Sequence, residues 1–538
     1  MQDVPLSLDF IFNRAEQLWP DKRLLTATPS GIERTTLGAW ADRTRRLGGV
    51  LDELGISADG RVATFAWNTA RHLELYFAPP CTGRVLHTLN IRLFTEQITY
   101  IVNHAEDEVI FVDRSLLPLL WPLVDQFKTV RQIVVMDDTA GRQDVPPLPE
   151  DSRILDYEEL LAGARRHPFG VVTDEHQAAS MCYTSGTTGD PKGVVYSHRS
   201  VVLHSIAVLL ADLLNLRESD VCLPIVPMFH ANAWGLCQAA VLAGAELVFP
   251  GADLSPQAVS RLILEEGVTF AAGVPTIWMG AKDHLAGKPH KLRTIVCGGS
   301  AVPRALSESY RKEVGLPILQ AWGMTETSPL ATVATIRSDR AGESEEELAD
   351  LRATQGMPSP LVELRIADPD SGEALPWDDK TSGEVQVRGP WIARKYYNDP
   401  RGDGQFTADG WLKTGDVGIM SPDGYVRLVD RTKDLIKSGG EWISSVDLEN
   451  EIMGHPAVAE AAVIAVPSER WMERPMACVV VKQGETLDAD GLRAWLEPRV
   501  AKWWLPDVIE FIEEVPKTSV GKFSKKSLRD RFSERRVP

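Results

Sequence analysis

For more than four hundred residues this sequence alternates between two periodicities, and the alternation narrows the fold before any motif is considered. Leu37, Trp40, Leu47, Leu51 and Leu54 recur at helical spacing behind a Thr-Thr pair suited to capping a helix. Short β-branched runs follow: Val109-Ile110-Phe111-Val112, Ile133-Val134-Val135-Met136, Leu247-Val248-Phe249 and Thr294-Ile295-Val296. Several lead through Gly or Pro into a new helical pattern, which implies βα units and mostly parallel sheets. At 538 residues the chain is too long for one core, and about 150 residues per domain gives three to four domain-sized units. The predicted class is α/β, with a large N-terminal body of mostly parallel sheets and flanking helices.

The pattern changes near Asp430. Before it, Asp423-Gly424-Tyr425-Val426-Arg427-Leu428-Val429 reads as a hairpin strand; after it, Asp430-Arg431-Thr432-Lys433-Asp434 is a polar pentapeptide. About a hundred residues remain, a fitting size for a small α+β domain. They include Ala461-Ala462-Val463-Ile464-Ala465-Val466, Ala477-Cys478-Val479-Val480-Val481 and a helix around Leu492 to Ala501. The expected division is 1–429, a hinge at 430–434, and 435–538. Asp339 to Arg352, rich in Glu and Asp, is expected to be a solvated helix or loop.

A formal charge of −18 argues against non-specific nucleic-acid binding, so any anion must be held by a few local groups. Six cysteines without Cys-x-x-Cys spacing suggest reduced thiols. The stretch from Val201 to Leu214, broken by His204, Ser205 and Asp212, reads as a buried helix and not a membrane span. Residues 1–10 show no secretory pattern, and the last five match neither a peroxisomal nor a lipidation signal. The expected location is the cytoplasm, with no transmembrane segment.

The strongest local signal is Tyr183-Thr184-Ser185-Gly186-Thr187-Thr188-Gly189-Asp190-Pro191-Lys192-Gly193. Its glycines let the backbone approach a ligand, while hydroxyls, amides and Lys192 can meet phosphate oxygens. A lone run of this composition is commonly a surface turn. Here it lies between strand-like segments, Met181-Cys182-Tyr183 and Val194-Val195-Tyr196, which favours a phosphate loop. It is not a Walker loop: Gly186 plus five is Pro191, and Lys192 precedes Gly193.

This loop resembles the signature of the adenylate-forming superfamily, which contains acyl-CoA synthetases, peptide-synthetase adenylation domains and luciferases. Four further segments match the family's motifs in order. Gln320-Ala321-Trp322-Gly323-Met324-Thr325-Glu326 resembles the motif whose aromatic residue stacks on adenine and whose Thr and Glu meet phosphate and metal. Trp322 offers an apolar face for a purine or could simply pack a core, and Glu326 is a hard oxygen ligand suited to Mg²⁺. Trp411-Leu412-Lys413-Thr414-Gly415-Asp416 matches the ribose motif, with Asp416 as the acceptor; alone it would be a turn. Asp430 to Lys437 resembles the hinge motif, in which Arg431 contacts the nucleotide and Lys433 is the pivot. Pro516-Lys517-Thr518-Ser519-Val520-Gly521-Lys522 matches the motif whose final Lys reaches the carboxylate and α-phosphate.

The resemblance implies an enzyme that uses ATP to convert a carboxylic acid into an acyl-adenylate and then passes the acyl group to CoA. The expected ATP and AMP contacts are Thr184, Ser185, Gly186, Thr187, Thr188, Lys192, Trp322, Gly323, Thr325, Glu326, Asp416 and Arg431. Mg²⁺ is expected near Thr184 and Glu326, with Lys522, His230, Thr184 and Glu326 as catalytic groups. His230, in Pro227-Met228-Phe229-His230-Ala231-Asn232-Ala233-Trp234, borders the acyl site or serves as a structural histidine. No Asp stands near it to pair with an α-ammonium group. Trp234 would gate an apolar tunnel or pack the core, and Gly298 and Gly299 would leave room for the acyl tail. In the family the mobile C-terminal domain rotates about the hinge, which would bring Lys437, Gly439, Gly440, Glu441 and Trp442 to the CoA side. The sequence is most similar to bacterial medium- and long-chain fatty-acyl-CoA synthetases, a branch that also holds methylmercaptopropionate-CoA ligases and ligases of bulkier acids. Carrier-protein loading, luciferase-like oxygenation, and a non-catalytic paralogue or one performing a single half-reaction are the rival readings; Glu326, Asp416, Arg431 and Lys522, which such a paralogue would usually have lost in part, are all present. Homodimers are common among similar enzymes.

Overall fold

The computed structural model describes residues 1–140, 145–184, 190–369, 371–431, 434–438, 441–517 and 523–537. Among the described residues the chain forms four sheets. The first runs in spatial order Met357–Pro358, Leu330–Val333, Leu319–Gly323, Thr294–Cys297, Phe270–Gly273, Val221–Pro224, Glu246–Phe249, Arg23–Thr28, Gly31–Thr36. Its six central strands are parallel, and its margins are antiparallel. The second, Ile154–Asp156 through Ala178–Tyr183, is parallel until Gly193–Ser197 turns back antiparallel.

Both sheets are buried on both faces, as parallel sheets require. Strand geometry sends successive side chains to opposite sides, and the packing follows it. Val62, Val109 and Phe111 join a central cluster, whereas Ala63, Ile110 and Val112 enter a separate outer one. In the other sheet Cys222, Leu247 and Val296 face the same central cluster, and Leu223, Val248 and Ile295 face away. Helices Leu37–Glu53, Ala70–Cys81 and Leu236–Ala243 therefore lie between two sheets, with others outside: alternating layers of helix and sheet. The Thr-Thr pair behaves as expected. Thr36 Oγ1 accepts the Ala39 amide at 3.2 Å, a cap that contributes about 1 kcal/mol.

A four-stranded antiparallel sheet, Glu363–Ala367, Gly383–Arg388, Leu412–Met420 and Val426–Arg431, carries the chain towards the C-terminal part. There Met472–Val481 pairs with Val458–Ser468, Ile436–Ser438 and Val508–Phe511, Glu441–Ile443 pairs with Ile436–Ser438, and Ser445–Met453, Ala489–Leu496 and Lys525–Arg531 are helical. The architecture is the expected α/β body with a smaller α+β part.

Some local readings change. The helix in the apolar stretch is His198–Leu209, with Leu210 already extended (ψ 138°). The helix read as reaching Ala501 stops at Leu496, because Pro498 has no amide to donate. The acidic segment folds into Glu345–Ala353, capped by reciprocal Ser344 and Glu347 bonds, but Leu348 and Leu351 bury one edge against Tyr425. The polar pentapeptide starts inside structure: Asp430 and Arg431 end the strand Val426–Arg431, and Asp430 is buried.

Candidate active site

Thr184 follows directly on a strand end. Its amide donates to the Lys192 carbonyl at 2.9 Å and its Oγ1 accepts the Lys192 amide at 3.1 Å, a reciprocal pair that ties Thr184 to Lys192. Ser185, Gly186, Thr187 and Thr188 lie outside the described residues, as do Lys433, Gly439, Gly440, Lys522 and the side chains of Glu441 and Trp442.

The antiparallel pairing of Leu412–Met420 with Val426–Arg431 sets Asp416 directly across from Arg431. Arg431 Nε lies 2.5 Å from Asp416 Oδ1, and Trp322 Nε1 donates to Oδ2 at 3.1 Å from another sheet. Asp416 is 2% exposed. Gly323 follows Trp322 because nothing larger fits: a Cβ there would stand 1.6 Å from the Pro329 carbonyl oxygen. The chain then makes a short 3₁₀ turn, Thr325–Thr327, whose Thr325 carbonyl accepts the Tyr196 hydroxyl at 2.7 Å. That turn carries Glu326, 5% exposed, whose Oε1 accepts the Tyr396 hydroxyl at 2.6 Å.

On the opposite wall, Ala231, Asn232, Ala233 and Trp234 all take left-handed φ values, from 43° to 57°, before Gly235. Each non-glycine residue there costs about 1–2 kcal/mol, and Cys182 Sγ holds the turn from below at 2.7 Å from Asn232 Oδ1. Such strain is characteristic of functional walls. Trp234 reaches across to Gly298, where an added Cβ would lie 3.4 Å from Trp234 Cη2 and 2.6 Å from the Ala321 carbonyl oxygen.

One cavity of about 590 Å³ joins these pieces. Thr184, Lys192, His230, Trp234, Gly298 and Gly299 line it, together with Trp322, Gly323, Thr325, Glu326, Asp416 and Arg431. Leu214, Leu236, Met279, Val296 and Pro303 add apolar side chains to the same lining. Lys437 is not part of the lining; its amide donates to Glu473 at 2.7 Å. For the metal, the described residues hold no cluster of three or more His, Cys, Asp or Glu. Glu326 Oε2, with no hydrogen-bond donor among the described residues, is a hard oxygen at the cavity wall, and with Thr184 Oγ1 it fits Mg²⁺ better than a softer ion.

The sequence reading passed over a second charged group on the C-terminal side of the cavity. Lys525 Nζ lies 2.9 Å from Glu449 Oε1 and also bonds Ser445 Oγ. Asp430 accepts the Ser445 amide at 2.8 Å, and Arg529 pairs with Asp434. Burial pushes Asp430 and Glu449 up; burial alone would push Lys525 down, but the charges of Glu449 and Asp430 outweigh it and raise it. Nothing local in the sequence marks these residues, since the cluster exists only once three distant segments meet. Tyr396 and Gln405 were missed for the same reason.

The comparisons agree with this geometry. The profile described as AMP-binding enzyme matches residues 12–397, and that of the AMP-binding enzyme C-terminal domain matches 447–522. A long-chain-fatty-acid–CoA ligase of Thermus thermophilus is 48% identical over 99% of this chain and 96% of its own. A 3-methylmercaptopropionyl-CoA ligase of Ruegeria lacuscaerulensis is 42% identical over 99% of this chain and 98% of its own. Among solved structures, the anthranilate CoA ligase AuaEII in complex with anthranoyl-AMP superposes with a TM-score of 0.86 at 25% identity, covering 99% of each chain. The chain therefore belongs to the family of AMP-binding enzymes.

Proposed function

We propose that this acyl-CoA synthetase activates a medium- or long-chain fatty acid as its acyl-adenylate and transfers the acyl group to CoA, releasing AMP and pyrophosphate. The observation that carries the reading is the single cavity, which nucleotide-type groups (Thr184, Trp322, Asp416), His230 and a set of apolar side chains (Leu214, Leu236, Met279, Val296) line together.

A carboxylate is a poor electrophile because its leaving group would be oxide. Attack of its oxygen on the α-phosphorus of ATP forms an acyl-phosphate bond and breaks the bond to pyrophosphate. Trp322 gives the adenine an apolar face, and Asp416 accepts the ribose hydroxyls while Arg431 and the indole N–H fix its orientation. Lys192 and the Thr184 loop hold the phosphates, and Lys522 reaches the developing charge on carboxylate and α-phosphate oxygens. Thr184 and Glu326 would hold Mg²⁺, which would supply charge neutralisation at the phosphates. In the second step the CoA sulfur, having lost its proton, attacks the acyl carbonyl and AMP departs. The division at 430–434, with Lys433 as pivot, lets the C-terminal part turn so that Lys437, Gly439, Gly440, Glu441 and Trp442 face the thiol. The reading extends to a cytoplasmic homodimer; among the described residues no helix is long and apolar enough to cross a membrane.

Incubation with ATP, Mg²⁺, CoA and a panel of acids, following AMP and thioester together, tests the proposal. Thioester formation greatest with C8–C16 acids supports it. Greatest turnover with 3-methylmercaptopropionate would favour the second reading, which the 42% identical relative makes specific. AMP release without thioester would refute both.

A further inference from the structure

Lys192 and Glu326 line the same cavity, carry opposite charges, and do not form an ion pair. Tyr396 lies between them. Its hydroxyl has one proton and two acceptors, Glu326 Oε1 at 2.6 Å and Gln405 Oε1 at 2.5 Å, of which the ionised carboxylate is the stronger. The Lys192 ammonium sits 4.6 Å from the centre of the tyrosine ring and 3.4 Å from Gln405 Oε1. Cation–π attraction thus occupies Lys192 without neutralising it.

The ring is itself fixed. Tyr396 is 4% exposed and packs edge-on against Phe406 at 5.6 Å. A Cβ at Gly402 would stand 2.2 Å from Tyr396 Cδ2, so the following turn must pass with no side chain there. The backbone around it braces both walls: the Ala393 amide donates to the Glu326 carbonyl at 2.7 Å, and the Tyr397 amide to the Gly193 carbonyl at 2.8 Å. Burial, then the charge of Glu326, keeps the phenol protonated and hence a donor.

We propose that Tyr396 is a positioning residue of the metal and phosphate site, holding the Glu326 carboxylate with its hydroxyl and the Lys192 ammonium with its ring, and so keeping the two from pairing. The inference rests on the reading of this cavity as a metal–ATP site. Direct contact between Lys192 and Glu326 would consume the carboxylate oxygen a divalent cation needs and the donors a phosphate needs. With Tyr396 in place both remain available before nucleotide arrives.

The test is titration of Mn²⁺ by electron paramagnetic resonance, with ATP present, in the full chain. Removing a group that orients a ligand typically costs ten- to a hundredfold in metal affinity. Tyr396→Phe should therefore raise the Mn²⁺ dissociation constant about tenfold or more, while AMP affinity without metal stays within about twofold. A general loss of structure would move both. Gly402→Ala displaces the ring but leaves the phenol intact, and should weaken Mn²⁺ in the same way. Mn²⁺ affinity within twofold of the parent in either folded variant would overturn the assignment. A parent that binds no Mn²⁺ with ATP would instead overturn the metal–ATP reading beneath it.

Discussion

Asp416→Asn keeps the shape of the side chain and removes one charge. The carboxylate accepts from Trp322 Nε1 and Arg431 Nε. In the proposed role the same carboxylate also accepts from the two vicinal ribose hydroxyls. Hydrogen bonds to a charged acceptor contribute about 1.5–3 kcal/mol against about 0.5–1.5 for a neutral one, so neutralising both ribose contacts should lose about 2–3 kcal/mol. That is roughly a 30- to 150-fold fall in kcat/KM for ATP. Arg431 adds little to the loss, because its side chain is 44% exposed and returns to water. The informative assay compares ATP with 2′,3′-dideoxy-ATP in parent and variant, a cycle that deletes the contact from both sides. The parent should prefer ATP strongly and the variant should lose most of that preference. Equal loss for both nucleotides would refute the reasoning, placing the role of Asp416 in orienting Trp322 and not on the sugar.

Gly298→Val, whose Cβ crowds the Ala321 carbonyl and Trp234, should lower kcat/KM for dodecanoate about tenfold more than for butyrate; an unchanged ratio would remove Gly298 from the acyl wall. Lys525→Met strands Glu449 and Asp430 without their cation and should cost about 3 kcal/mol in chemical denaturation, the low end for a broken buried pair because Lys525 is 14% exposed. His72, His198 and His204 are held by burial at pKa values of about 4, so they stay neutral in the fold where the unfolded chain takes up protons. Their contribution is complete above the unfolded value of about 6.5 and is lost as pH falls from there through about 4. His204→Gln should flatten that limb by about 1.4 kcal/mol per pH unit, read from melting temperature against pH.

The sequence showed what local physics can show. Unbroken apolar, β-branched runs located strands such as 109–112 and 294–296, because parallel strands are buried on both faces. The glycine-hydroxyl loop and Trp322-Gly323 were legible because close approach of backbone permits few residue types. Helix ends were less so, as at Leu496, where the proline two residues on outweighs the periodicity. Tyr396, Gln405 and Lys525 could not be found, since each takes its meaning from a residue at least 70 positions away in the sequence.

Those three residues bear on how a chain with a net charge of −18 can hold a polyanion. The overall field repels ATP, so attraction must come from cations at the cavity. Most of these are already neutralised where they stand: Arg431 on Asp416, Lys525 on Glu449, Arg529 on Asp434. Paired cations keep their geometry without repelling one another, but each is attractive to phosphate only after giving up part of its bond to a carboxylate. Lys192 differs because it rests on an aromatic face and an amide oxygen, neither of which cancels its charge. Among the described lining residues the attraction available before any rearrangement therefore includes Lys192, beside the loop that follows Thr184, and Lys526 on the C-terminal side. The paired cations on the C-terminal side, Lys525 and Arg529, become available only as their carboxylate partners are exchanged.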